Sequence, residues 1–153
     1  MKKIIMGLCL LSATTMMYAR DTRDINTPER NVPMSVKGTF HKNYPDANGV
    51  RWTYTEGRWN ANFRKMEGNT AMTACYDAKG RHIDSRLPVA QNAVPAKVIH
   101  RLNEKYPGQY THSFTKIERV SKRDLYRVKV KQQGVYKNLY LDKRGHEKEY
   151  ASR

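Results

Sequence analysis

The segment from Val32-Pro33 to Tyr44-Pro45 returns in skeleton at Val94-Pro95 to Tyr106-Pro107, 62 positions later. Between the prolines Val36, Phe40 and Tyr44 recur at steps of four, as do Val98, Leu102 and Tyr106. That step places three apolar side chains on one helical stripe. The first Pro of each segment suits the opening helical turn, and the second forces the preceding Tyr out of helical geometry. The spacing therefore predicts two short helices. Neither is stable alone, so each must lay its stripe on a partner.

The residues after each helix supply that partner. Val50 to Glu56, Arg58 to Met66 and Thr70 to Tyr76 read as strands after the first, and Tyr110 to Val120, Leu125 to Lys131 and Val135 to Leu141 after the second. Each set runs into an Asp-x-x-Gly turn, Asp77 to Gly80 and Asp142 to Gly145, where Asp accepts backbone amides and Gly tolerates a positive φ. The chain thus reads as two tandem helix-plus-antiparallel-meander units, an α+β protein with one broad curved sheet and its helices on one face. The expected division is 1–19 as a leader, 20–31 as a flexible lead-in, 32–88 as the first unit and 89–153 as the second. Arg86 to Ala93 reads as the linker, and a unit of about 60 residues is small enough that the two are expected to share a core.

The leader assignment rests on Lys2 and Lys3, the apolar run Ile4 to Met17 and the small residue Ala19. That order is a secretory signal peptide, with cleavage expected after Ala19 and no transmembrane segment left behind. Cleavage removes Cys9, leaving Cys75 without an intramolecular disulfide partner, and lowers the formal charge from +15 to +13.

Strand alternation separates an inward from an outward face. Tyr126, Val128 and Val130 point to the core, while Arg127, Lys129 and Lys131 point away. Trp59, Ala61 and Phe63 point inward, with Arg58, Asn60, Asn62 and Arg64 outward. Leu139 and Leu141 leave Tyr136 and Tyr140 outward, and Cys75 shares that side. The outward face is predicted to be cationic and dotted with aromatics. Its candidate partner-binding residues are Tyr136, Tyr140, Arg58, Arg64, Arg127, Lys129 and Lys131.

No catalytic, cofactor-binding or metal-binding residues are assigned. The five histidines are scattered, neither Asp-x-x-Gly loop supplies the further carboxylates of a calcium site, and Ser113-Phe114-Thr115-Lys116 falls in a predicted strand with no companion Lys-Thr-Gly. Cys75 has no neighbouring His to activate it. An enzyme is not expected.

Together, Val-Pro, the four-step helix, Tyr-Pro, Tyr126-x-Val128-x-Val130 and Leu139-x-Leu141-Asp142-x-x-Gly145 resemble the PepSY-like family of secreted bacterial domains, described as beta-lactamase-inhibitor-like. The resemblance covers most of Val32 to Tyr150 in two copies. It implies a periplasmic or extracellular, non-enzymatic binding module, inhibitor-like, docking a protein on the open sheet face. A basic envelope protein holding an anionic lipid headgroup, glycan or other polyanion is the alternative expectation.

Overall fold

A computed structural model describes residues 26–150. Its centre is one eight-stranded antiparallel sheet whose spatial order follows the chain: β1 (Asn26–Thr27), β2 (Ala47–Thr55), β3 (Arg58–Lys65), β4 (Ala71–Tyr76), β5 (His82–Val89), β6 (Tyr110–Arg119), β7 (Leu125–Gln132) and β8 (Val135–Asp142). Two ten-residue helices, α1 (Met34–Asn43) and α2 (Ala96–Lys105), interrupt this meander. The predicted leader lies outside the described residues.

The prolines and tyrosines bound the helices as their chemistry requires. Pro33 and Pro95 both cap with φ −55°, and the tyrosines Tyr44 and Tyr106 leave helical geometry at φ −137° and −132°. Val36 and Phe40 of α1 are fully buried, and so are Val98 and Leu102 of α2. Strand register carries one face continuously from Trp52 through Ala61, Ala74 and Ser85 to Phe114, Val128 and Leu139. Both helices pack on that face, and the other is left without a helix.

Two Asp-x-x-Gly turns pin the helices. Asp77 Oδ1 accepts the amides of Lys79 and Arg81 at 2.9 Å each, and Asp142 Oδ1 accepts those of Arg144 at 2.8 Å and His146 at 3.1 Å. Gly80 and Gly145 have φ +81° and +82°. A Cβ on Gly80 would lie 2.6 Å from the Ser35 carbonyl, and one on Gly145 would lie 2.6 Å from the Lys97 carbonyl oxygen. Glycine is needed here twice over, for the positive φ and for the close approach to the helix.

Three expectations are corrected. The first half of the segment read as a linker, Arg86 to Val89, is strand: β5 pairs with β4 on one side and β6 on the other. The core is not shared. Phe40, Trp52, Ala61, Phe63 and Tyr76 form one cluster; Leu102, Phe114, Val128, Val130 and Leu141 belong to another. Between the clusters β5 presents polar groups, with Ser85 Oγ hydrogen-bonded to the Tyr44 hydroxyl and to His82 Nε2. Burial holds the His82 imidazole below its ordinary pKa despite its bond to the Asp84 carbonyl and that residue's charge. Finally, part of the expected flexible lead-in is structured, since Asn26 and Thr27 pair with Thr53 and Trp52 on the edge of β2.

Candidate functional site

The face away from the helices carries the side chains that alternate with the core set. Arg51 and Thr53 of β2, Arg58, Asn60, Asn62 and Arg64 of β3, and Thr73 and Cys75 of β4 lie there. Asp84, Arg86 and Pro88 of β5, Thr115 and Ile117 of β6, Arg127, Lys129 and Lys131 of β7, and Tyr136 and Tyr140 of β8 continue it. A groove of about 780 Å³ opens on this face and takes its lining from β2 to β7, so the face is concave. The lining holds Arg51, Arg64, Arg86 and Arg127 and no carboxylate.

Local bonds hold this lining in place. Thr73 Oγ1 donates to Asn62 Oδ1 at 2.8 Å, Arg127 donates to Thr115 Oγ1 at 3.1 Å, and Arg64 donates to the Asn69 carbonyl at 3.0 Å. None of these acceptors is charged. The guanidinium charges of Arg64 and Arg127 therefore remain available to an anionic surface.

One end of the face is closed. After the second turn the chain bridges back to β8 through Leu141 and Glu147, and the Lys148 amide donates to the Tyr140 carbonyl at 2.8 Å. It then crosses the open face. Tyr150 stacks on Tyr140 at 4.9 Å and gives its hydroxyl proton to Asp84 Oδ2, while Arg86 donates to the same hydroxyl at 3.1 Å. Register places Ile117 and Leu125 between those anchors, and both are buried although they point away from the helices. Asp84 is fully buried and paired with Arg86 at 2.9 Å. Burial, together with the bond to Asp84, pushes the Tyr150 phenol up to about 12. Burial alone would lower the Arg86 pKa, but the Asp84 carboxylate outweighs it and raises it.

All seven predicted residues lie on one face, but not in equivalent settings. Arg64 and Arg127 line the groove, and Lys129 is exposed beside them. Tyr136 is 56% exposed, with Lys131 Nζ 6.0 Å from its ring centre. Tyr140 is half-buried beneath Tyr150, and Arg58, expected to be solvent-facing, is only 7% exposed. Cys75 also faces this side but is buried, so it is not available to another chain, and burial, then the Asp84 charge, raises its thiol pKa. Arg51 and Arg86 are the groove residues missed in the sequence. The alternation Arg51, Thr53, Thr55 against Trp52 and Tyr54 could have revealed the first; the second lies in the strand mistaken for a linker.

Among the described residues no group of three or more His, Cys, Asp and Glu is placed to hold a metal ion, and no helix is long and apolar enough to cross a membrane.

The architecture is thus an α+β open sheet with helices on one face and a concave cationic face opposite. No family model matches the chain, and no curated protein matches it. Solved structures do. A DUF2874 family protein from Bacteroides ovatus is 23% identical with a TM-score of 0.66, the match covering 80% of this chain and 85% of that one. A BLIP-like protein from Bacteroides fragilis is 20% identical with a TM-score of 0.60, covering 76% and 84%. A proposed periplasmic protein from Bacteroides eggerthii is 15% identical with a TM-score of 0.67, covering 76% and 85%. These likenesses establish the fold.

Proposed function

We propose that this chain is a periplasmic or secreted, non-enzymatic binding module that docks an acidic protein surface in its concave face. The observation that carries this reading is the groove itself: an unroofed sheet surface with arginines on its lining and no carboxylate among them, on the same face as the exposed Tyr136. Arginine and tyrosine carry interface energy out of proportion to their number. The BLIP-like neighbour supports a protein partner, and the neighbour from Bacteroides eggerthii supports the periplasm.

Two tandem copies of one PepSY-like unit fit the same reading. Gly80 meets Ser35 as Gly145 meets Lys97, and those pairs are separated by the sequence intervals of the two turns and the two helices. The contacting residues are then Arg64, Arg127, Lys129, Lys131 and Tyr136, with Tyr140 acting through Tyr150 and Arg58 lying deeper.

The test is capture of an envelope protein by the wild-type chain and by a folded Tyr136→Ala/Arg127→Ala variant, at low and high salt. Loss of about tenfold or more in the variant supports protein docking. Undiminished capture removes this face. A bound species that washes away steeply with salt and proves to be glycan or lipid would favour the polyanion alternative, because released counterions drive such binding.

A further inference from the structure

β8 is the last strand of the sheet, and its outer edge is paired along only part of its length. The two-residue turn Gln133-Gly134, at φ +50° and +80°, closes the hairpin from β7 at Gln132 and Val135. Alternation from that closing pair turns the backbone N–H and C=O of Val135, Lys137 and Leu139 toward β7, and those of Tyr136, Asn138, Tyr140 and Asp142 outward. Two bonds agree with this: the Tyr140 carbonyl accepts the Lys148 amide at 2.8 Å, and the Asp142 amide donates to the His146 carbonyl at 2.9 Å. Tyr136 and Asn138 point the same way, yet among the described residues neither makes a backbone bond on that side. The opposite edge of the sheet differs, since β1 pairs there with Thr53 and Trp52 of β2.

Val135 is 61% exposed and Tyr136 56%, so apolar surface accompanies the free backbone groups. A bare edge of this kind is a template for another extended chain. Charge decides which chain. Lys137 lies between the two outward residues, with Lys129 and Lys131 on β7 nearby, and among the described residues none of the three has an ion-pair partner. An antiparallel second copy using both Tyr136 and Asn138 would set Lys137 directly against its own counterpart, at the close, non-hydrogen-bonded position. Like charges there are unfavourable, whereas a carboxylate is complementary.

We propose that the Tyr136 to Asn138 edge of β8 takes an extended acidic segment of a partner protein as an added strand, with a carboxylate opposite Lys137. This edge lies outside the groove lining, so it does not need the docking reading.

The probe is the blocked pentapeptide acetyl-Thr-Val-Glu-Val-Thr-amide, titrated into the full chain while backbone amides are followed by NMR. The Tyr136 and Asn138 amide resonances shift saturably and exchange more slowly with solvent, because both N–H groups gain acceptors. Methylating the two valine nitrogens removes the peptide's donors and abolishes the shift with the protein unaltered. Asn138→Pro keeps its ladder with β7, since that N–H points outward, and loses binding. Replacing the peptide's Glu by Lys weakens binding by about two- to fivefold, and Lys137→Glu reverses the preference. The proposal is overturned by the absence of a saturable shift, by equal binding of the methylated or the Lys peptide, or by parental binding in a folded Asn138→Pro. Slow exchange of both amides before any peptide is added, in a chain that sediments as a dimer, would give the edge to a second copy instead. Failure of envelope capture with this titration intact would sink the docking reading and leave the strand site standing.

Discussion

After Asp77 the chain turns back and pairs along β4 as the eight-residue strand β5, whereas after Asp142 it makes a single bridge to β8 and then leaves the sheet. The two turns are bonded in the same way, so the turn does not decide the path of the chain beyond it. The difference lies in the next residues. His82 to Val89 can seat Leu87 and Val89 on the helix side and Arg86 on the other, between β4 and β6. Glu147 instead reaches Lys105 Nζ at 2.6 Å, and Tyr150 reaches Asp84 across the open face. One half therefore extends the sheet, and the other ends it while roofing part of its free surface. The docking groove occupies the part that was left bare.

The helix sides differ too. Phe40 meets Trp52, Phe63 and Tyr76 edge-on, at ring separations of 5.2, 5.2 and 6.4 Å. Leu102 sits at the equivalent place among Val98, Val128, Val130 and Leu141, a mostly aliphatic set. Because the clusters are separate, damage to one should not be relieved by repacking the other. Phe40→Ala is expected to cost about 3 to 5 kcal/mol, at least as much as Leu102→Ala at about 2 to 5 kcal/mol. Urea unfolding of the single and double variants checks this: independent cores predict near-additive losses, and a strongly sub-additive double variant would join the two cores into one.

The next largest effect separates the two turns. Gly80→Ala drives a Cβ against both the carbon and the oxygen of the Ser35 carbonyl, whereas Gly145→Ala meets only the Lys97 oxygen as closely. Each also forces an L-residue to a positive φ. Losses of about 2 to 3 kcal/mol are expected, with Gly80→Ala the greater. Equal or negligible losses in thermal unfolding would show that the turn can lift away from the helix.

Tyr150→Phe has no counterpart in the first half. It keeps the stack on Tyr140 but withdraws the hydroxyl from Asp84 and Arg86, at an expected cost of about 1 to 2 kcal/mol. Labelling of the Cys75 thiol should quicken at the same time, because the roof over this end of the face is loosened. An unchanged labelling rate would mean that Tyr150 does not guard that region.

The smallest expected effect is the acid response of the two turns. Burial pushes the Asp77 and Asp142 carboxyls up, but the amides of Arg81 and Lys79, and of His146 and Arg144, outweigh it and hold both below the usual carboxylate range. A depressed native pKa contributes stability above the unfolded value of about 3.9, lost as pH falls through the lower native value. Stability should fall below about pH 4, and the fall should be shallower in Asp142→Asn. An identical acid slope in that variant would remove the turn from the explanation.

Much of this arrangement is legible in the sequence where a rule is local. Pro33 and Pro95 open the helices, Asp77 and Asp142 bond their own turns, and Tyr126, Val128 and Val130 alternate cleanly. The features that escaped depend on distant partners. Arg86 and Pro88 read as part of a linker and Asp84 and Ser85 as no element at all, yet they form an interior strand because Asp84 is satisfied by Arg86 and Tyr150 and Ser85 by Tyr44 and His82. Nothing near Arg58 or Cys75 in sequence announces their burial. Tyr150, 66 positions beyond Asp84, bonds into the same corner of the open face.

The most direct measurement compares the two sides of the sheet by charge reversal. Arg64→Glu/Arg127→Glu alters the open face, and Lys97→Glu/Arg101→Glu alters the helix side. Quantified capture of the principal envelope partner should fall by at least about tenfold for the first and stay within about twofold for the second. Loss on the helix side, with the open-face variant folded and binding as the parent does, would contradict the account.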